Sequence, residues 1–230
     1  MKNIHQTHQA HFFCDNSDAT ASPAMVMHLL NNLSDYSLLP TYGHELNQFS
    51  AEKRPVIVMV DTNENYRVEF ASQDLSISSE TGNHKDFIGF VNGVYDKLKS
   101  TFPEKKSYRL ALSSHSFFTD TEESYEELYK KIFTHVNAKP IEWENRIIER
   151  VPILNGEEIV NSVSSIRRVE VRVPKIRNGM PTDCVIFEAE SNTLPFNTNM
   201  RFSLSNCSKY FNELHENNLK LLDLFSRYMK

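Results

Sequence analysis

Apolar positions repeat at helical spacing after Thr119: Tyr125, Leu128, Tyr129, Ile132, Phe133 and Val136 hold the i, i+3, i+4, i+7 pattern. Asp120 and Glu123 stand at capping-box spacing ahead of them, so a helix is predicted to start there. After Pro140 the period changes to two. From Ile141 to Ile153, Ile141, Trp143, Ile147 and Val151 point one way and Glu142, Glu144, Arg146 and Arg150 the other. Asn155-Gly156 is a hairpin turn signal, and a second alternating strand runs from about Glu158 to Val173. It sets Val163, Val169, Val171 and Val173 against Ile166, Arg168, Glu170 and Arg172.

The same reading covers the rest of the chain. Ser22-Pro23 opens a helix striped by Val26, Leu29, Leu30 and Leu33. Leu38 to Lys53 has no clear period and reads as a connector. Val56 to Asp61, Tyr66 to Ala71 and the Leu75–Ile77 strand form an antiparallel meander. A helix from about His84 to Thr101 should cover it, with Gly89 and Gly93 inside suggesting close approach of another backbone. Tyr108 to Ser114, Cys184 to Ala189 and, more weakly, Met200 to Leu204 are further strands. From about Ser208 a long closing helix carries Phe211, Leu214, Leu221, Leu222, Phe225 and Tyr228, with Asn218 interrupting the stripe.

These elements define an α+β fold: antiparallel sheet, helices packed on one face and a long C-terminal helix. Residues 1–230 are read as a single domain with no internal repeat, built either as two lobes, 1–137 and 138–230, or on one continuous sheet. A strand-rich half closed by a long helix is similar in architecture to the bacterial secretion chaperone with its four-stranded sheet, which says nothing of function.

Composition narrows the class. Forty per cent hydrophobic residues, with six glycines and nine prolines, describe a globular chain, and a net charge of −5 selects no partner class. Three cysteines, Cys14, Cys184 and Cys207, have no paired spacing, which favours a reducing, cytoplasmic setting. No membrane-length apolar run occurs, so no membrane partner is expected.

Candidate chemistry is sparse. His5, His8, His11 and Cys14 are soft donors for a metal such as zinc, but a three-residue repeat scatters them on helix or strand, so no metal site is assigned. Ser113-Ser114-His115-Ser116 with Asp120 holds triad residue types without triad geometry. Gly43-His44-Glu45 and His215-Glu216 lack the second histidine of a zinc-protease helix. Neither a catalytic residue nor a cofactor is assigned. The arginine-bearing hairpin remains, and Arg146, Arg150, Arg168, Arg172, Glu142 and Glu144 are the candidate partner-binding residues.

Four segments resemble a sporadically distributed bacterial family of uncharacterised proteins of similar length. They are Leu38-Leu39-Pro40, the meander VIVMVDTNENYRVEFASQDLSIS, the strand RLALSS, and the helix FNELHENNLKLLDLF. That family usually continues the arginine strand into a glycine- and asparagine-containing segment, which Ser113 to Phe118 does not reproduce. The resemblance implies a bacterial cytosolic protein encoded with a partner in a mobile or defence-type locus. It supplies no activity and no site residues.

The expected function is therefore a non-catalytic regulator, adaptor or sensor that binds another protein, with a homodimer through the C-terminal helix as a further expectation. Two alternatives stand beside it. One is a metal-dependent hydrolase or nuclease whose site assembles only in the fold. The other is nucleic-acid binding by the arginine hairpin.

Overall fold

In the computed structural model, residues 1–46, 53–135 and 137–228 are described. The elements in order are β1 (Lys2–Phe13), α1 (Pro23–Asn32), β2 (Leu38–Leu46), β3 (Lys53–Asp61), β4 (Tyr66–Ala71), β5 (Asp74–Ser79) and α2 (His84–Thr101). There follow β6 (Lys106–Ser107), β7 (Arg109–Thr119), α3 (Glu122–Ile132), β8 (Trp143–Ile153), β9 (Glu158–Val171), β10 (Thr182–Thr193), β11 (Phe202–Ser203) and α4 (Cys207–Phe225). The class is α+β, as the periodicities indicate.

Nine strands form one antiparallel sheet in the order β2-β3-β4-β5-β1-β7-β10-β9-β8, and β6 with β11 makes a separate two-stranded ribbon. The sheet is continuous, because β1 and β7 pair through its middle from Lys2–Thr119 to Phe13–Arg109. The element order repeats around that pair. A strand, a helix and a meander returning to the first strand, then a second helix, describe both β1-α1-β2-β3-β4-β5-α2 and β7-α3-β8-β9-β10-α4. This topological repeat has no counterpart in the sequence reading, which finds no internal repeat and places its first element at Ser22-Pro23.

The helices lie on one face. His8, Ala10 and Phe12 of β1 point to that face, as do Leu110, Leu112 and Ser114 of β7, directly opposite them in register. One core cluster joins this centre to Val91, Val94 and Leu98 of α2 and to Phe211 and Leu214 of α4. Tyr95 and Phe211 stack at 5.2 Å where α2 meets α4. A second cluster carries Tyr125 and Leu128 of α3, Val185 and Phe187 of β10, and Leu221 and Phe225 of α4. The apolar stripe of α4 packs on its own sheet through Phe211, Leu214, Leu221 and Phe225, while Leu219 and Leu224 stay at the surface.

Asn218 is a tie rather than an interruption. Its side chain is buried, donates to the Leu112 carbonyl at 2.9 Å and accepts from the Ser191 hydroxyl at 2.6 Å. Three further expectations are corrected. The connector from Leu38 is the edge strand β2, paired to β3 from Leu38–Asp61 to Leu46–Lys53; residues 47–52 of it lie outside the described residues. Helix α3 is capped by Thr121, not Asp120: its hydroxyl accepts from the Ser124 amide at 3.3 Å. Val136, the last residue of the expected stripe, also lies outside the described residues. Gly93 is approached by a side chain rather than a backbone, since a Cβ there would collide with the Tyr36 hydroxyl, whereas Gly89 faces open space.

Candidate functional site

Strand β8 forms one edge of the sheet. Its register with β9 runs from Trp143–Arg168 to Ile153–Glu158, so residues numbered i and j pair when their parities differ. Paired residues share a face. Glu144, Arg146, Ile148 and Arg150 therefore share the helix-free face with Arg167, Ser165, Val163 and Asn161. Arg168 joins Trp143, Ile147 and Val151 on the other face.

That parity separates the candidate residues. Glu144, Arg146 and Arg150 stand exposed on the open face of β8, and Glu142 is exposed just before the strand. Arg172 is exposed just beyond the end of β9. Arg168 is only 5% exposed. Its guanidinium donates to Glu122 at 2.5 Å and to Asp183 at 2.6 Å, and lies 4.7 Å from the centre of the Tyr125 ring. Both carboxylates push the Arg168 pKa further up, with Asp183 the larger influence. This side chain pins α3 to the sheet, so a single arginine face containing Arg146, Arg150 and Arg168 does not exist. Arg167 takes its place on the open face.

The edge itself is open on both sides. Ile147 and Ile148 are 49% and 51% exposed, one on each face, and among the described residues no strand pairs with the outer side of β8. An edge strand with unpaired amides and carbonyls is a template for another chain unless it is blunted. The opposite edge, β2, contains Pro40 and Gly43. In β8 the only proline is Pro152, next to the end, so most of the strand keeps its N–H groups.

Further in, the open face carries mixed charge. Gln9, His11, Arg109, His115, Glu188 and Glu190 line a shallow groove of about 260 Å³ across β1, β7 and β10. His115 Nε2 lies 3.5 Å from Glu188, and this contact, helped by Arg167 and Arg146, holds the Glu188 carboxyl below its usual range. Arg150 lies over Phe196 at 5.7 Å. The candidate set left out Arg167, one of the hairpin's arginines, and the Ile147-Ile148 pair; the signal for the latter was an apolar doublet that breaks the alternation of an otherwise polar strand.

The other candidates are separated by the fold. His5 contacts Phe117 at 5.4 Å and Glu80 at 3.3 Å, and His11 bonds Asp74 at 2.7 Å. His8 points to the helix side, and Cys14 is buried beside Asn16. Among the described residues no group of three or more His, Cys, Asp or Glu side chains has a metal-binding arrangement. Ser114 and His115 lie on opposite faces, and Ser114 is only 3% exposed, held between His8 and His84. Burial pushes the thiols of Cys14 and Cys207 up to about 12 and that of Cys184 to about 11. No helix among the described residues is long and apolar enough to cross a membrane.

No protein family model matches the sequence, and no curated protein is significantly similar to it.

Proposed function

We propose that the chain is a non-catalytic protein-binding module that captures an extended segment of another protein along β8. The observation carrying this reading is the unpaired edge, with an exposed isoleucine on each face and charged residues alternating on the open one. Strand addition draws affinity from main-chain hydrogen bonds and specificity from alternate side chains. On β8 and β9 the open face carries Arg146, Arg150 and Arg167 against Glu144, with Glu188 and Glu190 one strand further in on β10, in a chain whose net charge is −5. The surplus favours a segment with acidic residues facing the arginines and apolar residues facing Ile147 and Ile148. A second copy of β8 would bring the same positive surplus against itself. The nucleic-acid reading has less behind it: Arg168 is consumed internally, and Glu144, Glu188 and Glu190 interrupt the remaining arginines. The family resemblance directs the search to a partner encoded beside this chain, in a bacterial defence or toxin–antitoxin type locus.

The test is a purified complex with that neighbouring protein. Arg146→Glu with Arg150→Glu should release the partner while circular dichroism and melting stay unchanged. Retention of the partner by this variant contradicts the proposal, as does a homodimer of the free chain that the same variant dissociates.

A further inference from the structure

The groove across β1, β7 and β10 holds a cation and a carboxylate that are joined only through an amide. Arg109 lies over the Phe13 ring at 4.8 Å, and its Nη2 donates to the side-chain oxygen of Asn192 at 3.4 Å. Asn192 in turn donates from Nδ2 to Glu190 at 2.7 Å. This residue is only 5% exposed, and its oxygen also accepts from Asn161 at 3.1 Å, so it acts as a fixed spacer. Among the described residues neither Arg109 nor Glu190 forms an ion pair. Both line the groove.

The other charges of the groove are already answered. His11 bonds Asp74 at 2.7 Å, and Glu188 takes His115 at 3.5 Å with Arg167 and Arg146 beyond it. The floor is small and polar: Ala111 and Ser113 stand opposite Asn192 and Glu190 in register, and Gln9 stands opposite Ser113 from the β1 side. A guest of one charge would gain at one end of the Arg109–Glu190 pair and lose at the other. A guest with both charges gains at each. The volume of about 260 Å³ lies below the roughly 300–1,000 Å³ of sites for drug-sized ligands, so the guest is small.

We infer that this groove binds a free α-amino acid with an uncharged polar side chain, its carboxylate on the terminal nitrogens of Arg109 and its ammonium on Glu190. The two charges of an α-amino acid sit on neighbouring atoms of one carbon. That separation suits two residues held one amide apart, and the guanidinium fork suits a carboxylate. The side chain would lie over Ser113 and Gln9, which offer a hydroxyl and an amide. The site is on the open face two strands inward from β8, and the inference does not rest on strand capture there.

Calorimetry on the intact protein tests it, with L-glutamine, L-asparagine and L-serine as probes. The tightest binder is then compared with its N-acetyl derivative, which lacks the ammonium, and its carboxamide, which lacks the carboxylate. At least one free amino acid should bind saturably at millimolar concentration or below, and either block should weaken binding about tenfold or more. Arg109→Gln and Glu190→Gln should each do the same, while the blocked compounds make the test on the wild-type chain. No saturable binding of any of the three overturns the inference. So does equal affinity for a blocked derivative, or unchanged affinity in Glu190→Gln.

Discussion

His8 Nδ1 lies 2.9 Å from the Ser114 hydroxyl, and the two residues are direct partners in the central β1–β7 register. The contact belongs to a chain. His8 Nε2 reaches the Gly82 carbonyl at 3.3 Å, and the Ser114 hydroxyl meets His84 Nδ1 at 3.1 Å. With His8 donating from Nε2, its Nδ1 accepts from Ser114, whose oxygen accepts from His84. His215 of α4 completes the group, 6.4 Å from His84. Both imidazoles are neutral in this arrangement.

Acid should therefore loosen the centre of the sheet. Burial, with help from neighbouring histidines, lowers His8 and takes His84 down to about 4; burial also lowers His215. The unfolded chain binds protons on these groups first, near pH 6.5, so stability falls as pH drops from about 6.5 through 4. Allowing for its partial exposure, His84 alone contributes roughly 2 kcal/mol of this loss. Urea melts across that range should show the decline, and His84→Gln should flatten it.

The two glycines of α2 separate local propensity from packing. Gly89 faces open space and Gly93 faces Tyr36. Gly89→Ala is expected to raise stability by up to about 1 kcal/mol, the helix preference of alanine. Gly93→Ala should lower it by about 2 kcal/mol, because Tyr36 must move. Thermal melting of the two variants gives opposite signs.

Arg168 should behave as a structural residue. Arg168→Met leaves Asp183 and Glu122 without their cation and should cost about 2 kcal/mol, less than a fully buried pair because both carboxylates are partly exposed. Charge reversal at Arg146 and Arg150 should leave the melting temperature unchanged. Equal effects at all three positions would restore a common arginine surface.

The thiols give a further check. Cys14, Cys184 and Cys207 are buried with raised pKa values. A thiol reagent at neutral pH should label none of them in the native protein and all three after denaturation.

How much of this was legible in sequence depends on what carried each signal. Helices α2 and α3 announce themselves because one face of each is apolar at period 3.6. Strand β1 does not, since KNIHQTHQAHFF keeps polar residues on both faces and buries His8 beside Ala10 and Phe12. Strand β2 hides behind Pro40 and Gly43 and the weak patterning of an edge. The arginine surface failed on register. Alternation gives two faces for each strand, but only the pairing across the 154–157 turn says which faces coincide, and a one-residue shift exchanges Arg167 for Arg168.

The central claim is that β8 accepts an acidic, apolar-alternating strand. Its most direct test is hydrogen–deuterium exchange of the whole protein with and without a blocked peptide of alternating glutamate and isoleucine. The outward-pointing amides between Trp143 and Val151, those not bonded to β9, should gain protection, and Arg146→Glu with Arg150→Glu should remove the gain. Unchanged exchange in β8, or equal protection by a peptide with lysine in place of glutamate, would contradict it.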